Sequence, residues 1–123
     1  MQISCGVDIV EIERIKKAIE KTNGRFLKKI YTEKEIKYCE EKGNAKYEHY
    51  AARFASKEAI FKAISGLLKD KYSINWQNVQ ILNNKEGKPY IEFINMEFNQ
   101  IKSMDISISH SKQNAIANVV IIY

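Results

Sequence analysis

Apolar residues recur at every second position near the start of the chain, where Ile3, Cys5, Val7 and Ile9 alternate with Ser4, Gly6, Asp8 and Val10. A period of two predicts a strand with one well-buried face, here the Ile3 row, leaving Asp8 on the other face. The spacing then changes. Ile12, Ile15 and Ile19 recur at helical intervals, while Arg14, Lys17, Lys21, Arg25 and Lys28 recur three or four residues apart on a different face. This predicts one amphipathic helix with a basic stripe, running on past Asn23-Gly24. Thr32-Glu33-Lys34-Glu35 has the form of a capping box and predicts a short helix to about Glu41. After Gly43-Asn44, the segment from Ala45 to about Lys69 reads as a long helix.

The C-terminal half returns to strands. Val79 to Leu82 and Pro89 to Ile94 flank Asn83-Asn84-Lys85-Glu86-Gly87-Lys88, which has the composition of a hairpin connection. Asp105 to His110 and Ala115 to Tyr123 flank Ser111-Lys112-Gln113-Asn114 in the same way. Together these elements predict an α+β fold, with helices packed on a mostly antiparallel sheet, formed as a single domain over residues 1–123.

Composition narrows the class. An apolar fraction of 45% against 28% charged residues is that of a globular chain and excludes intrinsic disorder. The apolar runs fall well short of the roughly 20 residues a spanning helix needs, and the first residues lack the pattern of a secretory signal. The expectation is therefore a cytoplasmic protein with no membrane partner. Cys5 and Cys39 have neither disulfide-framework nor metal-ligand spacing and read as reduced core residues. A formal charge of +5 favours an anionic partner: a nucleic acid, a phosphate-bearing small molecule or an acidic protein.

Several residues stand out chemically. Asp8 lies inside an otherwise apolar strand, where a carboxylate needs a cation or strong donors, unless it merely caps the helix that follows. On the long helix Glu58, Lys62 and Ser65 project within roughly 60° of one another, since successive residues turn by about 100°. Taken alone, Glu58 and Lys62 form an ordinary i,i+4 pair, and Arg53 and Lys57 add a second basic row. Two carboxylates from different elements with lysines nearby is an arrangement suited to Mg²⁺ bound to a phosphate ester. His110 follows the alternation of Ile106 and Ile108, so it is either a partly buried, hydrogen-bonded residue or a ligand contact. Glu35, three residues after Thr32, reads as a cap before it reads as a base.

Four segments in order resemble one family. Gly6-Val7-Asp8-Ile9-Val10-Glu11-Ile12-Glu13-Arg14-Ile15, Arg53-Phe54-Ala55-Ser56-Lys57-Glu58-Ala59 with Lys62-Ala63, Gly87-Lys88-Pro89-Tyr90, and Ser107-Ile108-Ser109-His110-Ser111 are similar to the motifs of the holo-(acyl carrier protein) synthases. The resemblance implies a phosphopantetheinyl transferase fold and a homotrimer with active sites at its subunit interfaces. The implied reaction is magnesium-dependent transfer of 4′-phosphopantetheine from coenzyme A to a serine of apo acyl carrier protein, in support of fatty acid biosynthesis. Adenosine 3′,5′-bisphosphate is the product released.

Carried over by position, the resemblance makes Asp8 and Glu58 the Mg²⁺ ligands and Lys62 a catalytic residue at the pyrophosphate. It makes Glu58 the first candidate to accept the serine proton and Glu35 a second. Arg53, Lys57, Lys62, Gly66, Pro89 and His110 become contacts to coenzyme A, and Arg14, Lys17, Lys21, Arg25 and Lys28 the docking stripe for an acidic carrier protein. One departure is visible. Where the family has a glycine-rich turn, this chain reads Ile64-Ser65-Gly66-Leu67-Leu68-Lys69-Asp70-Lys71-Tyr72, in which only Gly66 matches. The competing expectation is a small basic nucleic-acid-binding module using the same stripe, although the acids among the bases would repel a polyanion and no aromatic ladder for bases is visible.

Overall fold

In the computed structural model, which describes residues 1–70 and 72–123, the chain runs β1 (Ile3–Glu11), α1 (Ile12–Lys21), α2 (Arg25–Ile30), α3 (Glu33–Glu40), α4 (Lys46–Ile64), β2 (Val79–Asn83), β3 (Pro89–Phe93), β4 (Ser103–His110) and β5 (Asn114–Ile122). The first, fourth and fifth strands make an antiparallel sheet in the order β1-β5-β4, and β2 pairs with β3 as a separate hairpin. Both hairpins fall where their turn residues predict.

Helix α4 crosses one face of the three-stranded sheet and is buried on most sides, because α1, α3 and the β2-β3 hairpin close over it. Alanines 51, 55, 59 and 63 recur every four residues along it and are almost wholly buried, a small-residue stripe that lets backbones approach closely. The contact is closest at Gly6, where a Cβ would lie 2.0 Å from the Ala59 carbonyl oxygen. One turn on, Ser4 Oγ donates to the Ala63 carbonyl at 2.7 Å.

This crossing inverts the expected faces of β1. The inner row is Ser4, Gly6, Asp8 and Val10, whereas Ile3, Cys5, Val7 and Ile9 point outward. At Gly6 nothing larger fits under the helix, so the row that contains it, with Ser4, Asp8 and the buried Val10, is the inner one, and the Ile3 row is left on the far side. There Ile3 is 70% and Ile9 62% exposed, and Ile116 and Val120 of β5 extend the same outer surface. Cys5 is accordingly exposed, contrary to expectation, while Cys39 is buried as expected.

Two helices also differ from the pattern. The stripe-bearing helix breaks at Asn23 (φ 49°) and Gly24 (φ 87°), both in the left-handed region, so Arg25 and Lys28 belong to a second helix, α2. Helix α4 ends at Ile64 in place of Lys69 and passes into one 3-10 turn, Ser65–Leu67. Lys71 of the divergent segment lies outside the described residues. Among the described residues no helix is long and apolar enough to cross a membrane.

Candidate active site

The inner row of β1 presents Asp8 to the face of α4 that carries Glu58 and Lys62. A small cleft of about 180 Å³ is lined by Asp8, Ile9, Val10, Arg14, Phe54 and Glu58. Lys62 reaches into the same region from the next turn, its Nζ 3.2 Å from Asp8 Oδ1 and 2.9 Å from the Val7 carbonyl oxygen. Ser65, expected on this face, instead turns back and donates to the Lys62 carbonyl, closing the end of the helix.

The electrostatics follow from the geometry. Partial burial raises the Glu58 carboxyl above its ordinary range, and the negative charge of Asp8 adds to the effect, against the opposing pull of Lys62 and Arg14. Two carboxylates from different elements bordering one cleft are a donor set suited to a hard divalent cation. Mg²⁺ characteristically takes one or two carboxylates and leaves its other positions to water and phosphate oxygens. The donor set therefore fits Mg²⁺. Among the described residues no three His, Cys, Asp or Glu side chains gather at one place.

Arg14 links this cleft to a second feature. It also lines a shallow groove along α1 with Lys17, Ala18, Lys21 and two acids, Glu11 and Glu13. The first three stripe residues thus lead directly to the carboxylates, while Arg25 and Lys28 continue the exposed basic surface on α2. Phe54, which forms one wall of the cleft, was not foreseen; its position four residues before Glu58 on the same helix was the available signal.

Glu35 and Lys57 are not at this cleft. Both are fully buried and form an ion pair at 2.7 Å. Glu35 Oε1 also accepts from the Thr32 amide, completing the capping box, and Oε2 accepts from the Ile81 amide of β2. Lys57 Nζ donates further to the carbonyls of Ile30 and Trp76. Every proton of the ammonium is committed inside the protein, and both Glu35 oxygens accept internal bonds, so the structure places neither residue at the cleft where it was expected. Burial pushes the Lys57 amine down, and the Glu35 carboxylate opposes this. Removing one partner of such a pair costs about 3–5 kcal/mol because the other charge stays buried alone. Lys57→Met is therefore expected to lower the urea midpoint sharply, and Lys57→Met with Glu35→Gln to recover a large part of the loss. Additive losses in the double variant would show that the pair is not coupled.

Arg53 and His110 lie in a third region, at the N-terminal end of α4. Arg53 is 2% exposed, stacks over the Tyr38 ring at 4.1 Å and donates from Nη2 to Asn83 Oδ1 at 2.6 Å, while its buried Nε finds no partner among the described residues. His110 ends the inner row of β4, with Nδ1 3.7 Å from Glu48 Oε2. His49, not singled out from the sequence, sits between them: burial lowers its pKa, and Arg53, Lys42 and His110 lower it further. Its helical spacing of four from Arg53 was the only signal. Pro89 opens β3 and lines a separate groove with Lys88, Tyr90 and Asp105. Gly66 is exposed, and a Cβ there would meet nothing within 4 Å, so nothing in the chain's own packing requires glycine.

A family model described as the 4′-phosphopantetheinyl transferase superfamily matches residues 4–120. The chain is 46% identical over 118 residues to the holo-[acyl-carrier-protein] synthase of Chloroherpeton thalassium, covering 94% of each chain. Against the enzyme of that name from Clostridium tetani the identity is 43% over 127 residues, covering 98% of this chain and 96% of the other. Among solved structures, the Helicobacter pylori holo-[acyl-carrier-protein] synthase in complex with coenzyme A superposes with a TM-score of 0.81 at 32% identity, covering 96% of this chain and 99% of that one. The Bacillus anthracis holo-(acyl-carrier-protein) synthase in complex with CoA (3′,5′-ADP) gives 0.77 at 33% identity, covering 96% and 94%.

Proposed function

The chain belongs to the holo-[acyl-carrier-protein] synthases of the 4′-phosphopantetheinyl transferase superfamily, and from that premise we propose that the Asp8–Glu58 cleft is where it moves the 4′-phosphopantetheine arm of coenzyme A onto a serine of apo acyl carrier protein. The observation that carries this reading is the meeting of two carboxylates from different elements in one cleft, with Lys62 on one of them and Arg14 at its edge.

Asp8 and Glu58 would hold Mg²⁺, which when bound supplies positive charge to the diphosphate and to the departing phosphate. Lys62, already within reach of Asp8 and 53% exposed at its side chain, is free to move onto a diphosphate oxygen and offset charge on the leaving group. The serine oxygen attacks the phosphorus that carries pantetheine, and the bond from that phosphorus to the bridging oxygen breaks. The bridging oxygen leaves with adenosine 3′,5′-bisphosphate. Glu58, whose carboxyl holds a proton more readily than an ordinary acid, takes the serine proton.

Two features support assembly as a homotrimer with shared sites. A cleft of about 180 Å³ is smaller than the roughly 300 Å³ or more typical of small-molecule pockets, and coenzyme A is a large ligand. Pro89, Arg53 and His110 lie outside that cleft in their own chain, with His49 beside the last two, so a second copy could supply them to it. The outward apolar row of β1 and β5 offers the surface on which copies would pack. Gly66, one turn beyond Lys62, stays with the cleft's own chain as a point of close backbone approach.

The test is the intact mass of an apo acyl carrier protein after incubation with this protein, coenzyme A and Mg²⁺, with EDTA in a second arm and Arg14→Glu in a third. A gain of one phosphopantetheinyl group, abolished by EDTA and requiring several-fold more carrier with Arg14→Glu, is the expected result. No gain with a competent carrier would sink the reading and return the basic stripe to nucleic-acid binding. An unchanged carrier requirement for Arg14→Glu would remove the stripe from docking.

A further inference from the structure

The cleft holds its own charge balance. Asp8 and Glu58 contribute two negative charges, and the positive charges acting on Glu58 are those of Lys62 and Arg14. The sum is zero. Lys62 is also seated like a bound cation: its ammonium bridges a carboxylate oxygen of Asp8 at 3.2 Å and the Val7 carbonyl oxygen at 2.9 Å, both from the strand that supplies a metal ligand.

We infer that Lys62 is the resident counter-ion of Asp8, displaced only when a divalent cation arrives with a diphosphate, so that the protein binds the metal poorly alone and well as the metal–coenzyme A pair. The inference rests on the reading of Asp8 and Glu58 as metal ligands and concerns the order in which that site fills. A divalent cation entering the balanced cleft by itself would leave two uncompensated positive charges beside Lys62 and Arg14. A diphosphate brings two negative charges, restoring neutrality, and gives the displaced ammonium a new partner. The two ligands are then coupled, and each must raise the affinity for the other by the same factor. Lys62 is suited to such an exchange because its side chain is half-exposed and flexible, unlike the buried and fully committed Lys57.

The experiment is a titration with Mn²⁺, following free Mn²⁺ by electron paramagnetic resonance, for the parent, Lys62→Met and Lys62→Arg, each with and without coenzyme A. Without coenzyme A, Lys62→Met is expected to bind Mn²⁺ on the order of tenfold more tightly than the parent, as one repelling charge is gone. Lys62→Arg, which keeps the cation, is expected to stay near the parent. Coenzyme A should improve Mn²⁺ binding more in the parent than in Lys62→Met. Equal Mn²⁺ affinity of parent and Lys62→Met without coenzyme A would overturn the inference while leaving the proposed function standing. If the parent binds no Mn²⁺ even with coenzyme A, the metal site itself fails, and the inference with it.

Discussion

Glu58→Gln is expected to reduce phosphopantetheine transfer on the order of a thousandfold or more, with a melting temperature equal to or above that of the parent. The activity loss follows from removing, in one atom change, both the proposed metal ligand and the proposed proton acceptor. The stability gain follows from the sign of the shift. The folded-state pKa of Glu58 lies above its unfolded value, first because of burial and then because of Asp8. The folded chain therefore binds this proton more tightly, and stability falls as pH rises from the unfolded pKa through the folded one. At neutral pH the parent carries that cost and the neutral amide does not, the usual opposition between stability and a charged active site. Asp8→Asn should be equally inactive with a smaller gain, since it removes only the Asp8 contribution to the Glu58 shift, leaves the larger one from burial, and breaks the Lys62 ion pair. Retention of more than about a tenth of parental turnover by purified, folded Glu58→Gln would remove Glu58 from the chemistry.

Gly6→Ala should damage both stability and turnover through a single methyl group. The new Cβ would stand 2.0 Å from the Ala59 carbonyl oxygen and 2.9 Å from the Ala63 amide nitrogen, both backbone atoms of α4 with no rotamer to adjust. The helix must move off the strand, at a cost of about 3 kcal/mol and a melting temperature lower by roughly 10 °C. Because Asp8 lies two residues along the same strand and Glu58 and Lys62 lie on the displaced helix, the carboxylates separate as the helix lifts. A fall in turnover larger than the fall in folded fraction is the expected signature, read by comparing initial rates with calorimetry on the same sample. A variant with the parent's melting temperature would show that the strand–helix distance is not fixed here.

How much of this could be read along the chain depends on whether neighbours in sequence or neighbours in space decide the matter. The capping box at Thr32 and Glu35 and the two hairpins are local, and the structure forms each of them; the i,i+4 pair of Glu58 with Lys62 does not form, because the Lys62 ammonium turns to Asp8 of the neighbouring strand. The faces of β1 are not local. Alternation marks two rows, but which row is inner was decided by the room α4 leaves, so Ser4 and Gly6 went under the helix and the isoleucines went out. Lys57 is buried for a similar reason. A lysine on a helix is ordinarily solvated, and only the convergence of Glu35, Ile30 and Trp76 from three other segments takes it inside. A clue existed in the alanines at 51, 55, 59 and 63, whose spacing marks a helix meant to be enclosed. Asn23-Gly24 was likewise visible as a breaker pair and was outweighed by the persistence of the basic spacing on either side.

The two-sided occupation of β1 bears on how this sequence can change over evolutionary time. Its inner row meets the central helix and carries Asp8, while its outer row places Ile3, Val7 and Ile9, apolar and exposed in the single chain, on the surface where copies are proposed to pack, so a change on either row has a consequence. Exchanges of one aliphatic residue for another on the outer row leave this intact, because they preserve which residue faces which way. Loss or gain of one residue does not: it exchanges the rows, turning Asp8 away from Glu58 and driving a larger side chain into the place under Ala59 that only Gly6 fits. In this segment, residue count is under stricter constraint than residue identity, and families of such chains should place their insertions and deletions in the hairpin turns and the 65–75 segment before they place one between Ile3 and Glu11.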